Sequence, residues 1–352
     1  MRRLTQIAVA SLATAALAFT ATACGDDNDS SGNGGSGKGG AAKGAALAYD
    51  IGGRGDLSFN DAAAAGFDQA KKEFGFEGLE VEPSEGEGDP DKVQRLTDLA
   101  KKGYNPVIAV GFVYSKAVGE VSKKFPKTSF AIIDDPVEGA NVANLVFNEE
   151  QASYLAGVAA AKTTKTKTVG FIGGVEVPLI KKFEAGFVQG VTDTDSSVKV
   201  VKKYLTQPPD FTGFSDPAKG KAAAEGQLDQ NADVVYHAAG GAGNGAIDAV
   251  ATAGKWAIGV DSDQYQAPTL AKFKDKILAS ATKNATGAVY KMIKSVQDGK
   301  PLVGEQRYGL ADDGVALTDT NPAYKAMADV VAAVEAAKQK IISGEITVKT
   351  EP

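Results

Sequence analysis

The chain has 352 residues, with 38 Lys and Arg against 44 Asp and Glu, a formal net charge of −6, one histidine and one cysteine. An acidic chain without a Lys/Arg-rich block is a poor partner for nucleic acid. A single cysteine and a single histidine, His237, cannot supply a disulfide, a zinc site or a His-based metal site, so no metal or other cofactor is expected.

At the N-terminus, Arg2 and Arg3 precede an apolar stretch from Ile7 to Phe19, and Ala21, Thr22 and Ala23 lead to Cys24. This is the layout of a secretory signal peptide, and the apolar run is too short for an ordinary transmembrane span. Cysteine directly after small residues also resembles the bacterial lipobox, although Ala21 stands where that pattern more often has Leu. Residues 1–23 are thus expected to be removed and Cys24 to be acylated, which predicts a lipid anchor on the extracytoplasmic face of the cell membrane. Residues 24–44 are dominated by Gly, Ser, Asp, Asn and Lys and read as a flexible tether. Roughly 300 residues then remain, more than a usual single core, which predicts two lobes.

The first apolar run, Ala45 to Tyr49, reads as a strand. It meets a glycine-rich turn, Asp50-Ile-Gly-Gly-Arg-Gly-Asp-Leu-Ser-Phe-Asn60, and then a helix with Ala63, Phe67, Ala70 and Phe74 on one face. Asp89-Pro90 starts a second helix, with Val93, Leu96 and Ala100 inward and Gly103 as its stop. Strand Val107 to Val110, a helix carrying Val118, Val121 and Phe125, and strand Ser129 to Ile133 follow, the last ending at Asp134-Asp135. After Asn141 to Phe147 a second series repeats the pattern. It consists of a helix from Glu149, strand Val169 to Ile172 ending at Gly173-Gly174, a helix with Ile180, Phe183, Phe187 and Val191 on one face, and strand Val198 to Leu205. Then come a helix from Pro217, strand Val234 to His237 ending at Gly240-Gly241, a helix with Ile247 and Val250, and strand Trp256 to Val260 ending at Asp261. A strand from Ile277 to Ala281 with Lys283 after it, a helix with Val289, Met292, Ile293 and Val296, and a terminal helix starting at Asn321-Pro322 close the chain.

Strands alternating with helices predict parallel βαβ units, hence two doubly wound α/β lobes with a cleft between them. The expected boundaries are 45–147 for the first lobe, with about 265–308 returning to it, and 148–264 for the second, with about 309–352 returning. The strand ends collect along one edge of each sheet, where ligands of open α/β sheets bind. There the opening turn offers a carboxylate, an aromatic face and an amide in Asp50, Phe59 and Asn60, a set suited to a flat ligand with a polar edge such as a nucleobase. The same residues also fit a turn in which Ser58 or Asn60 caps the helix and Phe59 packs inward. His237 reads as structural. Gly240-Gly-Ala-Gly-Asn-Gly245 matches neither the dinucleotide fingerprint nor a Walker A loop.

Eight segments in order resemble the basic membrane protein family: Asp50 to Asn60, Phe130 to Asp134, Phe147 to Ala160, Val169 to Gly190, Phe214 to Lys221, Asp233 to Gly245, Gly259 to Gln264 and Ser280 to Asn284. These are substrate-binding lipoproteins of ABC importers with the type I periplasmic-binding-protein fold, and they include a purine nucleoside receptor. The resemblance implies that Phe59 and Phe214 sandwich a base while Asn60 and Asp50 read its edge. It further implies that Asp134, Asp261, Lys283 and Gly240 hold ribose hydroxyls, with Asp135 and Gly241 as the neighbouring alternatives. It implies a non-enzymatic receptor that delivers a nucleoside, of the purine class, to a permease and ATPase on separate chains. An acidic domain on a tether gives no strong reason to expect a dimer, so a monomer is expected. A sugar or other small polar ligand, or a sensor role, is the alternative. A nucleoside hydrolase fits less well, because Ile51 and Asp56-Leu57 interrupt any aspartate cluster that could hold calcium.

Overall fold

The computed structural model describes residues 43–352. The expected signal peptide over 1–23, Cys24 and the expected tether up to residue 42 lie outside the described residues. Residues 42–352 form one compact unit.

The first half runs β1 (Ala46–Ala48), α1 (Phe59–Phe74), β2 (Leu79–Val81), α2 (Asp89–Lys101), β3 (Val107–Ala109), α3 (Ser115–Lys124), β4 (Phe130–Ile133) and β5 (Val142–Phe147). The second runs α4 (Glu149–Thr163), β6 (Thr168–Val175), α5 (Pro178–Thr194), β7 (Lys199–Thr206), α6 (Pro217–Leu228), β8 (Val234–Ala238), α7 (Gly243–Thr252), β9 (Trp256–Asp261) and β10 (Ile277–Lys283). The remainder is α8 (Ala285–Gln297), β11 (Gly304–Tyr308), β12 (Val315–Leu317), α9 (Pro322–Lys325) and α10 (Ala328–Ile342).

The strands form two six-stranded sheets, in the orders β11-β5-β4-β3-β1-β2 and β12-β10-β9-β8-β6-β7. All pairings are parallel except β10 with β12. Central strands such as Val107–Ala109 and Phe130–Ile133 are buried along their whole length, as parallel strands covered by helices on both faces must be. The chain crosses between sheets after β5, after β10 and after β11.

These crossings correct two expectations. The expected return to the first lobe at about residue 265 comes later, because β10 pairs with β9 and belongs to the second sheet. Only α8, packed on α1, and β11, paired with β5, join the first lobe. The terminal helix is also broken: Pro322–Lys325 forms a single turn, and α10 starts at Ala328.

Helix α4 is buried on every side from Ala152 to Ala161, and it packs against α5. Gly186 and Gly190 allow that approach, since a Cβ at either would meet the carbonyl oxygen of Glu150 or Tyr154 at 2.1 Å. The strand expected to end at Gly173-Gly174 instead continues through them to Val175. Gly174 leaves room for the ring of Phe214, which a Cβ there would meet at 2.5 Å.

Candidate ligand-binding site

The carboxyl ends of the two sheets face one cavity. Asp50 follows β1, Asp134 follows β4, Gly240 follows β8, Asp261 ends β9 and Lys283 ends β10. With Phe59, Asn60 and Phe214, all eight sequence-predicted residues line this cavity. Its volume is about 520 Å³, including space open to solvent. The cavity forms a slot between the two sheets. Asp134 and Gly240, rather than Asp135 and Gly241, line it; Asp135 instead accepts a hydrogen bond from the Ser115 hydroxyl.

The opening loop is closed on itself. Asp56 caps α1, accepting from the backbone amides of Ser58 (2.9 Å), Asn60 (2.9 Å) and Asp61 (3.1 Å). Asn60 Oδ1 accepts from the Asp50 amide at 2.9 Å, and its Nδ2 donates to Asp56 Oδ2 at 3.1 Å and the Ile51 carbonyl at 3.4 Å. Both donor hydrogens of the Asn60 amide are thus engaged within the loop, and the residue is 1% exposed. The cap expected from Ser58 or Asn60 is supplied by Asp56. Ser58 bridges to the other lobe instead, donating from Oγ to Asp261 Oδ2 at 2.6 Å, while its carbonyl accepts from Ser262 Oγ at 2.8 Å.

Beside this loop, Lys283 Nζ lies 2.6 Å from Asp134 Oδ2 and 3.8 Å from Asp261 Oδ1. Its ammonium sits 4.3 Å from the ring centre of Phe59, within cation–π range. Burial alone would lower the lysine's pKa, but Asp134, Asp261 and Glu149 outweigh it and hold the ammonium above its usual range. Burial raises the carboxyl of Asp134, with Lys283 opposing. Burial also pushes Asp50 up to about 7, Asp56 to about 6 and Glu149 to about 7, the last helped by the charge of Asp134. Asp134 Oδ1 and Glu149 Oε2 are buried and accept no hydrogen bond. Asp134 (φ 76°) and Asp261 (φ 61°) adopt left-handed backbone conformations, uncommon outside glycine and concentrated at ligand sites.

Several lining residues escaped sequence reasoning. Ile180 and Phe183, assigned to a helix core by their spacing, line the slot from the first turns of α5, as do Leu179 beside them and Phe112 after β3. A helix start beside a strand end was the available signal. His237 is buried with its Nε2 3.0 Å from Gln264 Oε1, and burial lowers its pKa to about 4. Among the described residues, no group of three or more His, Cys, Asp or Glu could hold a metal ion.

The family model described as "ABC transporter substrate-binding protein PnrA-like" matches residues 44–351. The chain belongs to the Bmp family of ABC transporter substrate-binding proteins. The CD4+ T-cell-stimulating antigen of Listeria monocytogenes is 34% identical over 324 residues, 87% of this chain and 88% of that protein. The ABC transporter nucleoside-binding protein BmpA of Lactococcus lactis is 33% identical over 325 residues, 87% of this chain and 89% of that one. Among solved structures, an ABC transporter solute-binding protein from Aeropyrum pernix K1 aligns with a TM-score of 0.76 at 28% identity, covering 87% of this chain and 93% of its own. The two α/β lobes are thus those of a periplasmic solute-binding protein, as this Bmp family member's sequence leads one to expect.

Proposed function

We propose that this Bmp family member is a lipid-anchored receptor, acylated on Cys24, that closes its lobes on a nucleoside of the purine class and delivers it to an ABC permease driven by a separate ATPase. It acts as a monomer on the extracytoplasmic face of the membrane.

The observation that carries this reading is the mixed lining of the slot. Phe59, Phe112, Phe183 and Phe214 give it aromatic rings, and Asp134, Asp261 and Lys283 give it an ionic cluster whose ammonium lies 4.3 Å from the Phe59 ring centre. A nucleoside has the same combination, a flat apolar base joined to a ring of hydroxyls. In this reading Phe59 and Phe214 stack on the base, and Asp50 accepts from its edge. Asn60 acts mainly through the loop it holds, with its second carbonyl lone pair left for the ligand. Asp134 and Asp261 accept ribose hydroxyls while Lys283 donates to them, and Gly240 brings backbone close to the sugar. The nucleoside-binding name of the Lactococcus relative points the same way.

The test is calorimetric titration of residues 42–352, unfolded and refolded to remove carried-over ligand, against inosine, guanosine, adenosine, cytidine, uridine and ribose. Saturable nucleoside binding without ribose binding, lost in Phe59→Ala and Phe214→Ala, supports the receptor. Binding of ribose alone would replace the nucleoside by a sugar. Silence with all six leaves a sensor of another ligand.

A further inference from the structure

The lysines of the first lobe are scattered in sequence but gathered by topology. In a parallel sheet every strand starts at the same edge, and each connecting helix returns to that edge. Lys71 and Lys72 end α1, Lys101 and Lys102 end α2, and Lys123 and Lys124 end α3. Lys43 precedes β1, Lys127 precedes β4, and Lys300 lies between α8 and β11, at the starts of strands on the same edge.

Hydrogen bonds stitch these loops into one surface. The Gly44 carbonyl accepts from the Asn105 amide at 2.8 Å, and Asn105 Oδ1 accepts from the Ser129 amide at 2.8 Å. Asn141 Nδ2 donates to the carbonyls of Phe125 and Thr128 at 3.1 and 2.7 Å. All nine lysines are exposed. Among the described residues, none has a carboxylate within 4.0 Å. The exposed Glu73, Glu77, Glu120 and Glu138 and the half-buried Asp98 are carboxylates near this edge without a cation partner, so the nine lysines leave the face net positive on a chain of net charge −6.

We propose that this amino-terminal edge of the first lobe is a docking face for an anionic phospholipid bilayer. Two observations select a membrane over another polyanion. Phe74, Phe76, Tyr104 and Phe125 stand beside these lysines but are half-buried and packed against the core, so the face presents charge rather than the open rings that stack nucleic-acid bases. It is also the face from which the N-terminal segment leaves the fold, since β1 starts there. Any anchor at Cys24 is therefore joined to the fold at this face rather than at the far end of the second lobe. A basic patch beside a lipid anchor is a common second membrane signal. One lysine per helix end suffices to complement the helix dipole. That role accounts for none of Lys43, Lys127 and Lys300.

The test uses residues 42–352 without any lipid, co-sedimented with vesicles of phosphatidylcholine containing phosphatidylglycerol or of phosphatidylcholine alone. Binding is expected only to the anionic vesicles and falls as sodium chloride is raised. Each lysine near the surface is worth about fivefold in partitioning, so Lys123→Gln with Lys124→Gln and Lys127→Gln weakens binding about a hundredfold. The matched triple Lys162→Gln, Lys165→Gln and Lys255→Gln, on exposed lysines of the second lobe, leaves it within about twofold. The Lys71→Gln, Lys72→Gln pair serves if the first triple does not fold. No binding to anionic vesicles at low salt overturns the proposal, as do equal losses in the two triples. Retention on heparin without vesicle binding overturns it in favour of a soluble polyanion. None of these lysines lines the slot, so ligand titration of the variants reads the nucleoside proposal separately.

Discussion

The loop side and the ionic side of the slot are built on opposite principles. In the opening loop the side chains of Asp56 and Asn60 are spent on the loop itself: Asp56 takes three backbone amides, and Asn60 holds Asp50 and Ile51 in place. On the ionic side, Asp134 keeps one buried oxygen without a partner, and Lys283 is shared among carboxylates rather than committed to one. A buried acceptor left open costs free energy in the empty protein. The loop is therefore a frame, and the ionic side is where a ligand's hydroxyls gain most.

Removing the lysine tests this division most severely. Lys283→Met leaves Asp134 and Asp261 without the ammonium between them, with Lys182 reaching only Glu149 at 3.7 Å, and breaking a buried pair in this way costs about 3–5 kcal/mol. The expected outcome is a large fall in melting temperature together with loss of ligand binding. If Lys283→Met melts like the parent, the ionic side is not the tuned half of the slot.

The pH dependence of stability sharpens the same point. Glu149 is raised from 4.5 to about 7, so its contribution is fully present below pH 4.5 and is lost as pH rises through 7. For an isolated group with that shift the loss is about 3 kcal/mol. Asp50 acts with the same sign between 3.8 and about 7, whereas His237, lowered to about 4, acts in the opposite direction as pH falls from 6.5. Glu149→Gln should therefore flatten the decline in melting temperature between about pH 4.5 and 7 without abolishing it. An unchanged slope would mean that Glu149 is already ionised in the fold.

How the sequence relates to these two sides is instructive. The alternation of apolar runs and amphipathic helices is a local signal, and it located the central strands and the loops that collect on one edge. Edge strands carry less of that signal: β2 has three residues, and β11, Gly304–Tyr308, is mostly polar because it borders solvent. The lobe to which β10 belongs was not legible, since a strand's pattern shows that it is buried but not which neighbour it pairs with. Within the slot, Asp134, Asp261 and Lys283 could be placed at strand ends, but their meeting depends on sequence separations of 149 residues for the closest pair. The capping role of Asp56 was hidden because it lies three residues before the first helical residue and reaches forward through a tight turn.

The aromatic wall is the next smaller effect. Phe214→Ala removes one stacking face and should weaken a bound nucleoside by about 1–3 kcal/mol, with little change in stability because the ring is only partly buried. Titration of that variant against a nucleoside, set beside its melting temperature, separates a stacking contact from a structural one. A fall in stability as large as the loss of binding would place Phe214 among the structural residues.

The smallest expected effect concerns how the frame meets the other lobe. The loop at 56–58 touches the second lobe through Ser58 Oγ to Asp261, Ser262 Oγ to the Ser58 carbonyl, Asn244 Nδ2 to the Asp56 carbonyl at 2.9 Å and Gln264 Nε2 to the Leu57 carbonyl at 3.3 Å. Only the first of these uses a side chain of the loop. Ser58→Ala deletes it while leaving the three backbone acceptors intact, and the variant fills the site with a methyl group instead of a hydroxyl. Hydrogen bonds to a charged acceptor are worth about 1.5–3 kcal/mol, but Asp261 keeps Lys283 nearby and gains access to ligand or water, so the net loss should be nearer 1 kcal/mol. That loss belongs to the closed arrangement of the lobes, because opening breaks the same bond in the parent. Small-angle scattering of the ligand-free variant should therefore show a larger radius of gyration than the parent, and saturating ligand should erase the difference. A variant that is as compact as the parent without ligand would assign closure to the three backbone contacts alone, and the loop would then frame the slot without helping to shut it.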